Sequence, residues 1–137
     1  MAYEIRRIDY FYTAIKDRPG EAHKLLSQLA DLGVNQLAFA ATPIGPGNVQ
    51  LTLFPEDKLK LISEGEKARL ELDGPSPAIL VQGDDQLGTL TDIHVKIYEA
   101  GINVYASTGV TDGRGGFGYV LYVRPEDYEK VTSVLDI

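Results

Sequence analysis

The segment from residue 17 to residue 21 contains the residues of this chain best suited to bind a small charged molecule. Its members are Asp17, Arg18, Pro19, Gly20 and Glu21. Gly20 lets a ligand approach the backbone where a helix is predicted to begin, and the free N–H groups there favour a carboxylate. Asp17 is suited to a cation such as an ammonium group. Asn35, in the next predicted strand, offers both a hydrogen-bond donor and an acceptor.

The same residues also have a purely local interpretation. Asp17 would then help to cap the helix, Pro19 and Gly20 would be ordinary helix-start residues, and Asn35 would pair with backbone. The sequence leaves both interpretations open.

A second set of such residues follows at a constant spacing. Asp85, Gly88 and Asn103 each lie 68 residues after Asp17, Gly20 and Asn35. The stretch 55–57 (Pro-Glu-Asp) also returns as 125–127, at a spacing of 70. We therefore predict two copies of one small domain, with repeat 1 at residues 1–73 and repeat 2 at residues 78–137. The second binding site is expected to be weaker, because it lacks the proline.

Composition excludes several classes of function. The chain has 137 residues, 44% hydrophobic and 24% charged, which is typical of a soluble globular protein. A net charge of −7 argues against a nucleic-acid partner, since that binding needs clustered Lys and Arg. Cysteine is absent, and no apolar run is long enough for a membrane span. We expect a cytoplasmic protein with no membrane partner.

Periodicity predicts the elements that position the candidate residues. In repeat 1 we expect strands at 8–15, 34–42 and 49–54, with a helix opening at Pro19-Gly20 and ending before Gly33. The apolar face of that helix is Ala22, Leu25, Leu26, Leu29 and Leu32. A second helix is expected to have Pro55 in its first turn. A short strand is expected at 68–72, followed by a linker at 73–77.

Repeat 2 shows the same order but stops early. We expect strands at 78–82, 102–110 and 117–123, and helices at 88–100 and 125–135. The apolar faces are Leu90, Ile93 and Ile97 in one helix and Tyr128, Val131 and Leu135 in the other. No fourth strand remains, whereas Tyr3 to Arg7 has no assigned partner. We expect this N-terminal segment to lie along the open sheet edge, in its own chain or in a partner.

The predicted fold class is α+β. The order βαββαβ gives a ferredoxin-like antiparallel sheet with both helices on one face, present here in two copies.

The loop and the following strand together resemble the ACT domain family. Its signature is Asp-Arg-Pro-Gly, a helix, and then Gly-Val-Asn or Gly-Ile-Asn. Residues 17–20 with 33–35 match it closely, whereas 85–88 with 101–103 match it loosely, since Gln86-Leu87 replaces Arg-Pro. The resemblance covers nearly the whole chain, as two copies.

The resemblance implies a non-enzymatic regulatory or sensor protein that binds a small effector, commonly an amino acid, between paired copies. The ligand's carboxylate would face the helix start and its ammonium group Asp17. It also implies a metabolic enzyme as a possible partner. The short units, the missing last strand of repeat 2 and the aromatic run from Tyr10 to Tyr12 predict a homo-oligomer, most simply a dimer. The alternative is a protein-interaction module, or a regulatory subunit of a metabolic enzyme, whose ligand sites are vestigial.

Two other features do not indicate catalysis or a cofactor. The glycine-rich stretch 113–120 fits a kinase nucleotide loop, but the remaining kinase motifs are absent, and we interpret it as a flexible hairpin. His23 and His94 have no metal-ligand partners at useful spacing. We expect His94, on a predicted helix face, to be buried, hydrogen-bonded or part of an interface. No cofactor is expected.

Overall fold

The computed structural model describes residues 3–137, and these divide into two compact units. The first unit is Asp9–Ser76, and the described part of the second unit is residues 3–8 together with Pro77–Ile137. The strands are β1 Tyr3–Lys16, β2 Gln36–Pro43, β3 Asn48–Pro55, β4 Asp73–Asp84, β5 Ala106–Thr111 and β6 Gly116–Tyr122. The helices are α1 Glu21–Asp31, α2 Lys58–Lys67, α3 Thr89–Glu99 and α4 Tyr128–Leu135, the last preceded by a 3-10 turn at Pro125–Asp127.

The first unit is a sheet in the order β2-β3-β1, with the start of β4 beside β1. β1 and β3 are antiparallel and place Phe11 opposite Leu53. Residues 51–55 of β3 are all buried, and Leu51 and Leu53 share one core cluster with Leu25 and Leu29 of α1. Leu26 was expected on this face but is exposed, because it lies beside rather than within the buried stripe of α1.

The second unit has the order β4-β6-β5, with residues 3–8 of β1 on the other side of β4. Its core contains Ile79 and Val81 of β4, Ile93 and Ile97 of α3, and Val131 of α4. The expected helix faces are confirmed except for Leu90, which is more than one-third exposed. The α+β fold class with antiparallel strands is confirmed.

The N-terminal segment provides the fourth strand of the second unit. Tyr3 and Ile5 pack against its core, and Ile8 is buried. The Arg6 guanidinium donates to Oε1 of Gln82 at 3.1 Å. The segment therefore lies along the open edge of β4 in its own chain.

Three sequence-based boundaries were wrong. The expected linker at 73–77 is the first part of β4, whereas residues 68–72, expected to form a strand, lie in a turn and irregular backbone. Pro55 ends β3, and Asp57 is the N-cap of α2, where its carboxylate accepts from Lys60 N at 3.2 Å. An aspartate at this position satisfies a free N–H, so the helix begins after it.

Candidate functional site

The loop before α1 is attached to the β2–β3 hairpin. Asp17 N–H donates to the carbonyl of Gly47 at 3.0 Å. Gly20 is the N-cap of α1 with φ 88°, a left-handed conformation that favours glycine, and no side chain caps the helix. The interpretation of Asp17 as a helix cap is therefore wrong. The first-turn N–H groups of α1 have no capping side chain, which suits an anion.

Other side chains of this first loop are engaged with each other. Arg18 Nη2 lies 2.9 Å from Oε1 of Glu21, one helical turn away, in a largely exposed ion pair. Such a surface pair contributes little to stability. It does neutralise the charge of Glu21, so that Asp17 is the carboxylate of this loop that remains available for a cation.

Asn35 is directed to the start of α2 instead of the loop. Its Nδ2 donates to Oε2 of Glu56 at 2.8 Å, and its carbonyl accepts from Glu56 N at 2.9 Å. The cavity that Asn35 lines, of about 200 Å³, shares no residue with the cavity of about 310 Å³ that Glu21 lines. The first unit therefore does not bring Asn35 and the helix-start loop into one cavity.

The equivalent loop of the second unit lies beside a cavity of about 360 Å³. Its walls come from this loop and α3, and from β5 and β6. The lining residues are Asp85, Gln86, Thr89, Leu90, Gly109, Val110, Thr111, Phe117, Gly118 and Tyr119. The site expected to be weaker is thus the one that combines a predicted carboxylate with a defined apolar cavity.

Local geometry at this loop repeats that of the first unit. Gly88 is the N-cap of α3 with φ 86°, again without a side-chain cap. Asp85 N–H donates to the carbonyl of Gly115 at 2.7 Å, which attaches the loop to the β5–β6 hairpin. The hydroxyl of the buried Thr89 donates to the carbonyl of Gln86 at 3.0 Å. The loop is fixed, and the Asp85 side chain is exposed beside the cavity.

Asn103 does not line this cavity, and its side chain is exposed. It precedes β5 and lies beyond the far end of α3 in the chain, so its role in the predicted site stays a prediction. A wider depression of about 650 Å³ on the first unit is lined by residues such as Tyr12, Gln50 and Glu71 and contains none of the predicted residues.

The wall formed by β5 and β6 was not found from the sequence. Phe117, Gly118 and Tyr119 belong to the glycine-rich stretch that we interpreted as a flexible hairpin, and Gly109 is in the facing strand. The sequence did contain one signal, Gly109 inside the strand predicted at 102–110, since a glycine inside a strand often marks the close approach of a neighbouring group.

The hairpin between β5 and β6 is held by Asp112. Its Oδ1 accepts from Arg114 N at 2.6 Å and from Gly116 N at 3.0 Å. These two backbone hydrogen bonds hold the pKa of the Asp112 carboxyl below its ordinary value, and the bond from Arg114 N–H has the larger effect. Ionised Asp112 therefore keeps the hairpin that carries Gly115 in the conformation that receives the Asp85 N–H.

We expect Asp112→Ala to lower the melting temperature at pH 7, because the two N–H groups lose their acceptor. Because the pKa of Asp112 is lower in the folded state, its ionised carboxylate stabilises the fold at pH values above the ordinary pKa of 3.8. This stabilisation is lost as the pH falls through the pKa of the folded state. The difference between wild type and variant should therefore shrink in melting curves recorded from pH 7 down to pH 2. Asp31→Ala, which removes an exposed charge at the end of α1, is the control. A difference that stays constant over this range would contradict the assignment.

The described residues contain neither a cluster of metal ligands nor a helix suited to cross a membrane. Within residues 3–137, no group of three or more His, Asp or Glu side chains is arranged to hold a metal ion. In the same part of the chain, no helix is both long and apolar enough to span a bilayer.

Half-buried His94 lies on the α3 face opposite β6, and its Nε2 is 2.6 Å from the Tyr119 hydroxyl. This confirms the expectation of a hydrogen-bonded histidine.

Several solved structures are similar to this chain, whereas no protein-family profile and no curated protein matches it. Protein BT0572 from Bacteroides thetaiotaomicron is 13% identical, covers 96% of this chain and 88% of its own, and has a TM-score of 0.78. The ligand-free regulatory subunit of aspartate kinase from Thermus thermophilus is 13% identical, over 99% and 95%, with a TM-score of 0.64. The aspartokinase alpha and beta subunits are 16% identical, over 98% and 95%, with a TM-score of 0.60. At such identities the likeness establishes the fold, and this chain has an ACT-like, ferredoxin-type fold.

Proposed function

We propose that this protein is a non-enzymatic regulatory protein that binds an amino acid in the cavity of the second unit. The observation that carries the proposal is the pairing, around one cavity of about 360 Å³, of the Asp85 carboxylate with the uncapped start of α3 and an apolar wall. A free amino acid has a cation, an anion and a side chain to match these three features.

The opposite charges of the ligand have distinct partners in this arrangement. The Thr89 N–H donates to the Gln86 carbonyl at 3.3 Å, and the next N–H groups of the first turn of α3 receive the carboxylate. The helix start carries partial positive charge and has no side-chain cap. Asp85 receives the ammonium group. Leu90, Val110 and Phe117 then contact the side chain of the ligand. The cavity volume is at the lower end of the range of about 300–1,000 Å³ that small-molecule sites occupy.

The chemistry of the lining residues favours binding over catalysis. The cavity is lined by carboxylate, amide, threonine, tyrosine and apolar groups, with no histidine, lysine, serine or cysteine among them. A nucleophile activated by an adjacent base is the usual arrangement in covalent catalysis. The groups present suit recognition of a ligand that leaves unchanged.

The similar structures support a regulatory role through the shared fold. Two of them include a regulatory subunit of aspartate kinase or paired aspartokinase subunits. Another, aspartokinase III from E. coli, was solved in complex with aspartate and ADP, and this chain covers 33% of it at 15% identity. We propose by analogy that this chain is a cytoplasmic dimer that transmits ligand binding to a metabolic enzyme.

We expect Asp85→Ala to weaken amino-acid binding by roughly 10- to 150-fold, because an ammonium group left without its partner typically loses about 1.5–3 kcal/mol. Titration calorimetry with the amino acid that gives the largest thermal shift in a panel of twenty measures this effect. Asp17→Ala removes the equivalent carboxylate of the first unit and should change affinity less, and Asp31→Ala should not change it. Equal losses for Asp85→Ala and Asp31→Ala would refute the site.

A second candidate function is an interaction module or regulatory subunit with vestigial ligand sites. Exposed apolar side chains next to and along α3 favour it, namely Leu87, Val95 and Tyr98. A ligand present at a concentration of 100 times its dissociation constant adds about 2.7 kcal/mol to the free energy of unfolding. If no amino acid raises the melting temperature, pull-down from the host with wild type and Tyr98→Glu tests this candidate instead.

A further inference from the structure

Gly109 is a glycine for reasons of space. It lies inside β5, directly opposite Tyr119 of β6, and its backbone does not need a positive φ. A Cβ atom built on Gly109 would come within 2.9 Å of Cδ1 of Tyr119. Because carbon atoms do not approach so closely, the Tyr119 ring occupies the volume that a side chain at position 109 would fill.

The same ring is held from the helix side. The Tyr119 hydroxyl lies 2.6 Å from Nε2 of His94, and the two ring centroids are 5.8 Å apart. Tyr119 is only 6% exposed. A buried tyrosine hydroxyl needs a hydrogen-bond partner, and His94 provides it. The ring is thus fixed between β5 and α3 while one part of it lines the cavity.

The first unit has a different set of residues at the matching positions. Ala41 lies opposite Leu51 in the β2–β3 pair, as Gly109 lies opposite Tyr119. Leu26 precedes His94 by the repeat spacing of 68 residues. The two units therefore differ at all three matching positions. In the second unit the three residues are complementary, since Gly109 leaves room for the Tyr119 ring and His94 binds its hydroxyl.

We infer that Tyr119 determines which amino-acid side chain the second unit accepts, with His94 and Gly109 as the residues that position it. This inference rests on the proposed function. The ring limits the depth of the cavity, so the matching ligands are amino acids with aliphatic side chains, and an aromatic side chain is excluded. His94 does not line the cavity and acts only through Tyr119.

The test is the ratio of dissociation constants for L-phenylalanine and L-leucine, measured by calorimetry on the full chain. We expect wild type to bind L-leucine more tightly. Tyr119→Leu copies the first unit and removes the ring, so the ratio should fall by about tenfold or more, in line with the discrimination that cavity size provides. Adding Gly109→Ala to this variant refills part of the space and should return the ratio toward wild type.

The role of His94 is tested by comparing two substitutions. His94→Leu leaves the Tyr119 hydroxyl without a partner, and we expect the ratio to fall. His94→Gln keeps a hydrogen-bonding group and should restore most of the selectivity. A purely structural histidine would lower the melting temperature in both variants without changing the ratio. Tyr119→Phe keeps the ring, provides a folded alternative if Tyr119→Leu is unstable, and should match His94→Leu.

The outcomes separate the two proposals. If wild type binds no amino acid, the proposed function and this inference are both overturned. If wild type binds but Tyr119→Leu leaves the ratio unchanged, the inference alone is overturned. Where Tyr119→Leu does not fold, an unchanged ratio in both Tyr119→Phe and His94→Leu overturns the inference, because the hydrogen bond to His94 then positions nothing. Tighter binding of L-phenylalanine than of L-leucine by wild type would also overturn it.

Discussion

A chain without residues 1–7 is expected to melt about 10 °C or more below the intact protein. The deletion removes Tyr3 and Ile5, which are partly buried and pack against the core of the second unit, and it exposes the edge of β4. It also removes Arg7, whose guanidinium donates to the Ile137 carbonyl at 3.0 Å and lies 5.8 Å from the centre of the Tyr128 ring. Burial of one large apolar side chain is worth about 1.5–3 kcal/mol, so the combined loss is several kcal/mol.

Calorimetric melting together with light scattering checks this result. A chain shortened by residues 1–2 alone is the matched control, since it keeps every described residue of β1. The longer deletion should also increase self-association, because a free strand edge pairs with other chains. An unchanged melting temperature and molecular mass after removal of residues 1–7 would refute the role assigned to this segment.

Gly74→Ala is expected to destabilise the protein by about 3 kcal/mol or more. Gly74 has φ 146°, a conformation that side chains rarely adopt. A Cβ atom there would come within 2.8 Å of the Tyr10 carbonyl oxygen and 3.0 Å of Cδ2 of Phe11. The Tyr10 carbonyl belongs to the backbone and cannot move aside without disturbing β1. The cost of the unfavourable φ and the cost of the steric clash therefore both lower the free energy of unfolding.

Gly45→Ala separates these two contributions. Gly45 has a similar φ of 135°, but a Cβ atom built on it meets nothing within 4 Å. Its substitution should therefore show the conformational effect alone, which is about 1 kcal/mol. Chemical denaturation of both variants measures the difference. Equal losses of unfolding free energy would show that close packing at Gly74 contributes nothing.

Local patterns were sufficient to predict most of the secondary structure. The stripe of Leu25 and Leu29 and the alternation of Leu51 and Leu53 each identify one buried face, and both are buried as expected. The repeat spacing also marked Gly20 and Gly88 as equivalent, and both are left-handed, with φ 88° and 86°. Such features depend on nearest neighbours along the chain, and periodicity reports them directly.

The strand at 73–77 was missed because its composition is that of a turn. Pro75 and Pro77 lack an N–H group, and Gly74 weakens a strand, so the segment was assigned as a linker. In the first unit, the start of β4 is an outer strand next to β1, where a proline is tolerated because one side needs no partner. Position in the sheet, which a single sequence does not specify, therefore overrides composition.

The candidate site was predicted only at the loop. Asp85 and Gly88 were found from their spacing, whereas Phe117 and Tyr119 reach the cavity through the pairing of β6 with β5. Asn35 and the first loop, expected to share a ligand, line different cavities. Which side chains line the same cavity depends on packing between strands and helices, and the periodicity of a single sequence does not report that packing.

The division of β1 between the two units affects the order in which the protein folds during synthesis. All residues of the first unit, Asp9–Ser76, are adjacent in the chain and leave the ribosome as one continuous segment. The second unit needs residues 3–8, which are made before the first unit, together with Pro77–Ile137, which are made after it. At about 5–20 residues per second, Tyr3 and Ile5 wait roughly 7–26 s for the last of their core partners, such as Leu135. The neighbouring strand β4 is made earlier, so residues 3–8 can pair with it before the core of the second unit is complete.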